Sequence, residues 1–103
     1  MYGYVYIVTN LLNGKKYIGK HKYTKPEIDP AYFGSGIYFN RALEKYGSEN
    51  FKREILESIN NIPTICNSEE ELNNSEKYYI TYFNAIESDN YYNLVEGQGG
   101  NTW

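Results

Sequence analysis

The sequence predicts an α/β (α+β) domain, on three observations: a strand–turn–strand signal near the N-terminus, two later stretches with apolar residues at helical spacing, and an alternating stretch between those two. The chain has 103 residues, enough for one domain. Hydrophobic residues are 41% of the chain and include 13 Tyr, 4 Phe and 1 Trp, so an ordered core is expected rather than disorder.

In the hairpin, Tyr4 to Val8 is a β-branched and aromatic run, Asn13-Gly14 is a turn signal, and Lys16 to Lys20 returns. From His21 to Gly36, charges, Pro26, Pro30 and Gly34-Ser35-Gly36 predict an exposed loop. Phe39, Ala42, Leu43 and Tyr46 fall at helical spacing, which predicts a helix over 37–46 with Ser35 as N-cap and Gly47 just past its end. Phe51, Ile55 and Ile59 share one side of an alternating stretch, a strand expected to pair with the hairpin. Ser68 and Glu71 have capping-box spacing ahead of a helix reaching Phe83, with Asn73, Asn74 and Ser75 marking a potential break. Tyr91 to Val95 reads as a short closing strand. The domain is therefore expected over 1–96, and 97–103 as a Gly-rich tail or the start of a linker.

The formal net charge of -3 hides an asymmetry. Residues 1–26 carry five lysines and no acid, and the remainder carries five basic against 13 acidic side chains. The front end is thus the anion-facing end, and lysines beside tyrosines suit phosphate and sugar contacts. The longest apolar run, Tyr4 to Val8, is far below the roughly 20 residues needed to cross a bilayer, and no signal-peptide pattern is present. A single cysteine and a single histidine exclude an internal disulfide and a Cys/His zinc cluster. A cytosolic setting is expected.

Two features stand out chemically. Glu76 lies four residues after Leu72 and three and four before Tyr79 and Ile80, so its carboxylate falls on the apolar stripe of the second helix. A charge there calls for an ion pair, hydrogen bonds, a raised pKa or a metal ion, unless its head reaches water at the edge of the stripe. In the hairpin, Tyr4 and Tyr6 share a strand face and the turn brings Tyr17 near them. A phenol ionises at a pKa of about 10, so proton-transfer chemistry would need positive neighbours, for which Lys20 and His21 are candidates.

These residues resemble the signature of the GIY-YIG nuclease family. Tyr4-Val5-Tyr6 stands for the first half, with Gly3 just before it, and Tyr17-Ile18-Gly19 matches the second half letter for letter. Asn10, Asn13-Gly14, Lys20, Ala42-Leu43-Glu44-Lys45-Tyr46-Gly47, Glu76 and Asn93 follow in the family's order, and the stretch through Tyr32-Phe33-Gly34-Ser35-Gly36 is most similar to phage-type homing endonucleases. The resemblance implies a three-stranded antiparallel sheet flanked by helices that hydrolyses DNA phosphodiesters with one divalent ion, Mg²⁺ or Mn²⁺. It implies Tyr6 and Tyr17 as active-site tyrosines, Glu76 as the metal ligand, Lys20 as a nearby cation and Asn93 as a supporting polar residue; with His21 added, these form the expected catalytic set, and Lys16, Lys20, His21, Lys22, Lys25 and Ser35 are the expected DNA-facing set. Residues 21–40 lack the arginine the family usually carries there, and His21, Lys22 or Lys25 is expected to replace it; Arg41 and Arg53 are not given that role. The expected chemistry has Tyr6, acidified by Lys20 and assisted by Tyr17, take a proton from the attacking water. That scheme needs a phenol of the hairpin and the Glu76 carboxylate to share one hollow. The competing reading is a degenerate nucleic-acid- or protein-binding module. With only ten basic residues, tight autonomous DNA binding is not expected, so a tethered or separate DNA-binding region, or a transient dimer on DNA, is.

Overall fold

A computed structural model describes residues 1–22 and 37–93. Its central element is β1 (Gly3–Asn10), paired antiparallel along one edge with β2 (Lys16–Lys22). The turn forms because Gly14 takes a φ of 79°, a conformation costly for other residues, while the Asn10 and Asn13 side chains accept the backbone N–H groups of Leu12 and Lys15, each at 2.9 Å. This fixes the register, with Thr9 opposite Lys16, Tyr6 opposite Gly19 and Tyr4 opposite His21.

Helix α1 (Ile37–Tyr46) has the expected bounds and ends where Gly47, at φ 86°, donates its N–H to the Leu43 carbonyl at 2.9 Å. After a 3-10 turn at Ser48–Asn50, β3 (Phe51–Ile55) pairs antiparallel with the second half of β1, with Phe51 opposite Asn10 and Ile55 opposite Tyr6. The first half of that edge is taken by β4 (Ile65–Cys66), which pairs Cys66 with Gly3 and Ile65 with Tyr4. The sheet therefore has four strands where three were expected, the fourth being too short to leave a periodic signal.

The strand expected to continue to Ile59 stops at Ile55. The rest of that edge of β1 is taken by residues 64–66, Val5 donating its N–H to the Thr64 carbonyl at 2.8 Å; Ile59 packs on the opposite side of the sheet from Phe51 and Ile55, and Asn60 and Asn61, at positive φ (55° and 63°), then turn the chain. Helix α2 (Glu69–Tyr82) starts as its capping box predicts, with Ser68 Oγ accepting the Glu71 N–H at 3.1 Å and Glu71 Oε1 accepting the Asn67 N–H at 2.7 Å. It runs unbroken through 73–75 because tertiary contacts outweigh the poor propensity of those residues: Asn73 accepts a hydrogen bond from Lys20, and buried Ser75 meets Cys66 Sγ at 3.5 Å. No closing strand forms among the described residues. Tyr91 makes a single parallel bridge to Lys16, while Leu94, Val95, the 97–103 tail and the Ser35 cap lie outside the described residues.

Because β1 is covered on both sides, alternate residues feed two separate cores. Tyr4, Tyr6, Val8 and Tyr17 pack with Phe39 and Ala42 of α1 and with Phe51. Val5 and Ile18 pack with Leu72, Tyr79 and Ile80 of α2, and with Leu56, Cys66 and Ala85. The sheet is thus sandwiched between the helices, and among the described residues no helix is long and apolar enough to cross a membrane.

Tyr79, wholly buried, ties the second core to the turn after β3: its hydroxyl accepts the Ile59 N–H at 2.8 Å and donates to the Ile62 carbonyl at 2.6 Å. Tyr79→Phe leaves the Ile59 N–H wanting an acceptor, while the Ile62 carbonyl keeps the Ser58 hydroxyl at 2.8 Å, and is expected to lower stability by about 1–3 kcal/mol in urea unfolding, with the fold retained.

Candidate active site around the hairpin

The register places the tyrosines before any other contact does. Residues opposite each other share a face, so Tyr4, Tyr6, Tyr17, Gly19 and His21 all project toward α1. The Tyr6 ring lies 6.2 Å from that of Tyr4 and 6.3 Å from that of Tyr17, and Tyr17 stacks on Phe39 at 4.7 Å. Tyr6 is 1% exposed and Tyr17 7%, so Tyr17 is the more open of the pair.

Gly19 is what allows this arrangement. A Cβ at this position would stand 2.6 Å from Tyr6 Cζ and 2.9 Å from Tyr17 Cε2, and would collide with the Tyr6 hydroxyl. The Tyr6 phenol lies directly over the glycine backbone.

One residue further on, Lys20 faces the opposite way. It stands opposite Val5, and its ammonium donates to Asn73 Oδ1 on α2 and lies close enough to Glu76 to favour the carboxylate's charged form. Alternation along the strand thus gives Lys20 to Glu76, not to the Tyr6 phenol as expected. Glu76 is 8% exposed; burial pushes its pKa above the ordinary carboxylate value, against the pull of Lys20. Among the described residues no hydrogen bond or ion pair within 4.0 Å reaches its carboxylate.

Tyr6 and Glu76 therefore lie in side-chain layers on the two sides of the sheet, rather than on one wall as the sequence suggests. What joins them is the two-residue step Gly19–Lys20, in contact with the phenol on one side and facing the carboxylate on the other.

The remaining candidates are distributed around this step. The His21 ring meets Tyr4 edge-on at 5.7 Å, and the Lys22 ammonium sits 5.4 Å from the Tyr2 ring. Lys20, His21 and Lys22 line a cavity of about 270 Å³ together with Glu69 and Asn73. Lys16 lies at the far end of β2, its ammonium 3.4 Å from the Gly14 carbonyl. Asn93 is buried, and its amide makes a two-way contact with one residue, accepting the Ile18 N–H at 3.0 Å and donating to the Ile18 carbonyl at 2.8 Å. It holds the outer edge of β2 between Tyr17 and Gly19. Lys25 and Ser35 lie outside the described residues.

Two participants escaped the sequence reading. Arg53, set aside there, stands opposite Val8 and brings its guanidinium to 3.5 Å from the Tyr4 hydroxyl. The signal was present: alternation puts Arg53 on the same side of β3 as Phe51 and Ile55, a cation on an apolar face. Asn73, read only as a weak point of the helix, is the hydrogen-bond partner of Lys20.

Among the described residues no three His, Cys, Asp or Glu side chains gather as a metal cluster. Glu76 nevertheless suits a hard cation. It is an oxygen donor, buried, with no protein hydrogen bond on record among the described residues, and Mg²⁺ is commonly held by one or two carboxylates with water and substrate oxygens completing the shell.

This architecture is that of a homing-endonuclease catalytic domain. A point mutant of the catalytic domain of the intron endonuclease I-TevI superposes with a TM-score of 0.62 at 23% identity, covering 97% of this chain and 100% of that one. A second structure of the I-TevI catalytic domain gives 0.58, also at 23% identity, over 90% and 98% of the two chains. In sequence the chain is 41% identical over 97 residues to segE of Enterobacteria phage T4, 37% over 95 residues to segD, and 33% over 100 residues to the endonuclease segA of the same phage. These alignments cover 94%, 92% and 96% of this chain but 42%, 39% and 41% of the relatives, so the chain spans about two-fifths of the curated relatives' length. No protein-family model matches it. The chain is thus homologous to these phage endonucleases over nearly its whole length and shares the fold of the I-TevI catalytic domain.

Gly19→Ala is expected to displace the Tyr6 ring and to be destabilising by roughly 1–3 kcal/mol, as overpacked cores are, readable as a lowered urea midpoint. Glu76→Gln tests the buried charge. With the pKa raised in the folded state, Glu76 stabilises the fold relative to its ionised form only while protonated, and that contribution is lost as pH rises through its folded pKa. In chelator, Glu76→Gln should therefore melt a few degrees higher than the parent at pH 7, and the gap should close as pH falls through the ordinary carboxylate range.

Proposed function

We propose that this chain is the catalytic domain of a metal-dependent DNA endonuclease that hydrolyses phosphodiester bonds, with DNA lying across the Gly19–Lys20 step. The observation that carries the reading is the buried Glu76 carboxylate beside Lys20, one residue along the strand from the Gly19 backbone under the paired phenols; phenols and carboxylate do not share one hollow as the sequence scheme asked, so they are assigned to two sides of the bound phosphodiester. The fold of the I-TevI catalytic domain and the likeness to segA support it.

In this reading Glu76 holds Mg²⁺ or Mn²⁺. When bound, the ion supplies Lewis-acid charge neutralisation at the phosphate. The chain's own groups do the rest. One phenol of the Tyr6–Tyr17 pair, acting as the phenolate, takes the proton of the attacking water and becomes the neutral phenol, with Tyr17 on the open side and Tyr6 held over Gly19 behind it. Lys20 balances the Glu76 charge and, through Asn73, fixes α2 against β2. Lys22, beside the cavity on that side, and His21, on the tyrosine side of the strand, serve the phosphate backbone, together with Lys16 along the strand and Lys25 and Ser35 from the segment outside the described residues. Asn93 acts on the reaction only by holding Ile18, and with it the spacing of Tyr17 and Gly19. A covalent tyrosyl-phosphate route is disfavoured because among the described residues no second base stands by to release it. With a net charge of -3, affinity and site choice are assigned to a tethered or separate DNA-binding region, and cutting both strands to two copies meeting on DNA. The substrate is assigned to the interior of a bacterial or phage-infected cell.

Supercoiled plasmid incubated with the protein should be nicked with Mg²⁺ or Mn²⁺ and stay intact with a chelator. Glu76→Ala should abolish the nicking with the fold unchanged by circular dichroism, and Tyr6→Phe should slow it by about 10²-fold or more. Full activity in either variant removes that residue from the scheme, and plasmid binding without nicking by the parent identifies a binding module instead.

A further inference from the structure

Away from the Gly19–Lys20 step, a cavity of about 460 Å³ opens between the C-terminal half of α1 and residues 86–93. Its size is in the range of small-ligand sites. Its lining carries both charges. Arg41 and Lys45, one helical turn apart on α1, and Lys15 of the hairpin turn bring three cations to it. Glu87 and Asp89 also line it, and among the described residues neither is within 4.0 Å of the Lys15 or Lys45 ammonium.

Tyr92 stands in the same lining, held in place at its hydroxyl by the Asn10 amide at 3.1 Å and the Asn13 amide at 3.4 Å. The Lys15 ammonium is 5.6 Å from its ring centroid, and Lys45 stands 5.2 Å from the ring of Tyr46, also in the lining. An immobilised aromatic face, cations for a phosphate and carboxylates able to accept from a base N–H are the complement of one nucleotide.

We propose that this cavity binds a single unpaired nucleotide of a DNA strand, with its phosphate on Lys15, Arg41 and Lys45 and its base against Tyr92. The inference rests on the reading of the chain as a DNA-acting domain and adds a site that the cleavage scheme does not use. The two places are linked through one side of the sheet: the rings of Tyr6, Tyr17, Phe39 and Tyr92 follow one another at 6.3, 4.7 and 6.1 Å. A nucleotide held here would set how far from the anchored position the strand meets the tyrosines.

The test is an amide NMR titration of the ¹⁵N-labelled chain, without metal, with a hexathymidylate strand, with thymidylate and with inorganic phosphate at low salt. Hexathymidylate should shift the amides of Asn13, Lys15, Lys45, Tyr46 and Ser88, and the Tyr92 ring signals should move with them. The double variant Lys15→Glu/Lys45→Glu should weaken binding by about tenfold or more, with the spectrum otherwise folded. Glu76→Ala, inactive in the nicking assay, should bind as the parent does. Shifts mapping elsewhere, undiminished binding in the double variant, or no shifts at saturating strand overturn the proposal. Equal affinity for thymidylate and the strand overturns it in favour of a free nucleotide, and equal effects of phosphate without movement of Tyr92 overturn it in favour of a simple anion. If the parent fails to nick plasmid yet binds the strand in this cavity, the cleavage reading falls and this one stands.

Discussion

Everything chemical in this domain depends on the register of one strand pair. Tyr6 faces Gly19, and the missing side chain of Gly19 is the space that the Tyr6 phenol occupies. A slip of one residue would put Lys20 under the phenol and turn Ile18 out of its core, and every residue of β2 would exchange sides. The register is set at the other end of the hairpin, by the positive φ of Gly14 and the two asparagine side chains that close the turn. Local turn chemistry thus decides which groups can meet some way along the strands.

The same alternation divides the labour between the helices. α1 covers the tyrosines and packs Phe39 into them, and α2 covers Val5 and Ile18 and brings Glu76 and Asn73 to Lys20. Burial works against the charge on Glu76 while Lys20 favours it, and burial prevails. An acid kept in that condition gains from any cation that can reach it, which is why its setting fits the chemistry assigned to it better than a passive place in the core would.

Much of this was legible in the residues. The hairpin, α1, the cap of α2 and the inward placing of Glu76 follow from turn chemistry and helical spacing, which act over a few residues. What was not legible depends on partners far along the chain. β4 is two residues long and exists because β1 offers it an edge; α2 stays whole at 73–75 because Lys20 and Cys66 supply contacts; and β3 ends at Ile55 because residues 64–66 take the rest of that edge. Within the site, the set of candidates could be named, but their distribution over two sides of the sheet needed the register. Lys20 was assigned to the wrong neighbour for that reason, and Arg53 was passed over although its alternation marked it.

The Asn93 contact has a consequence for how the molecule behaves among its own copies. β2 borders the sheet, and the backbone groups on its outer side are the kind that recruit a strand from another chain. Asn93 fills those of Ile18 with a side-chain amide, a donor and an acceptor in one planar unit, while the backbone of 90–92 takes those of Lys16. A short irregular segment thereby closes a border that a full strand would have left to be closed again, and it guards the stretch carrying Tyr17 and Gly19 against strand addition and aggregation.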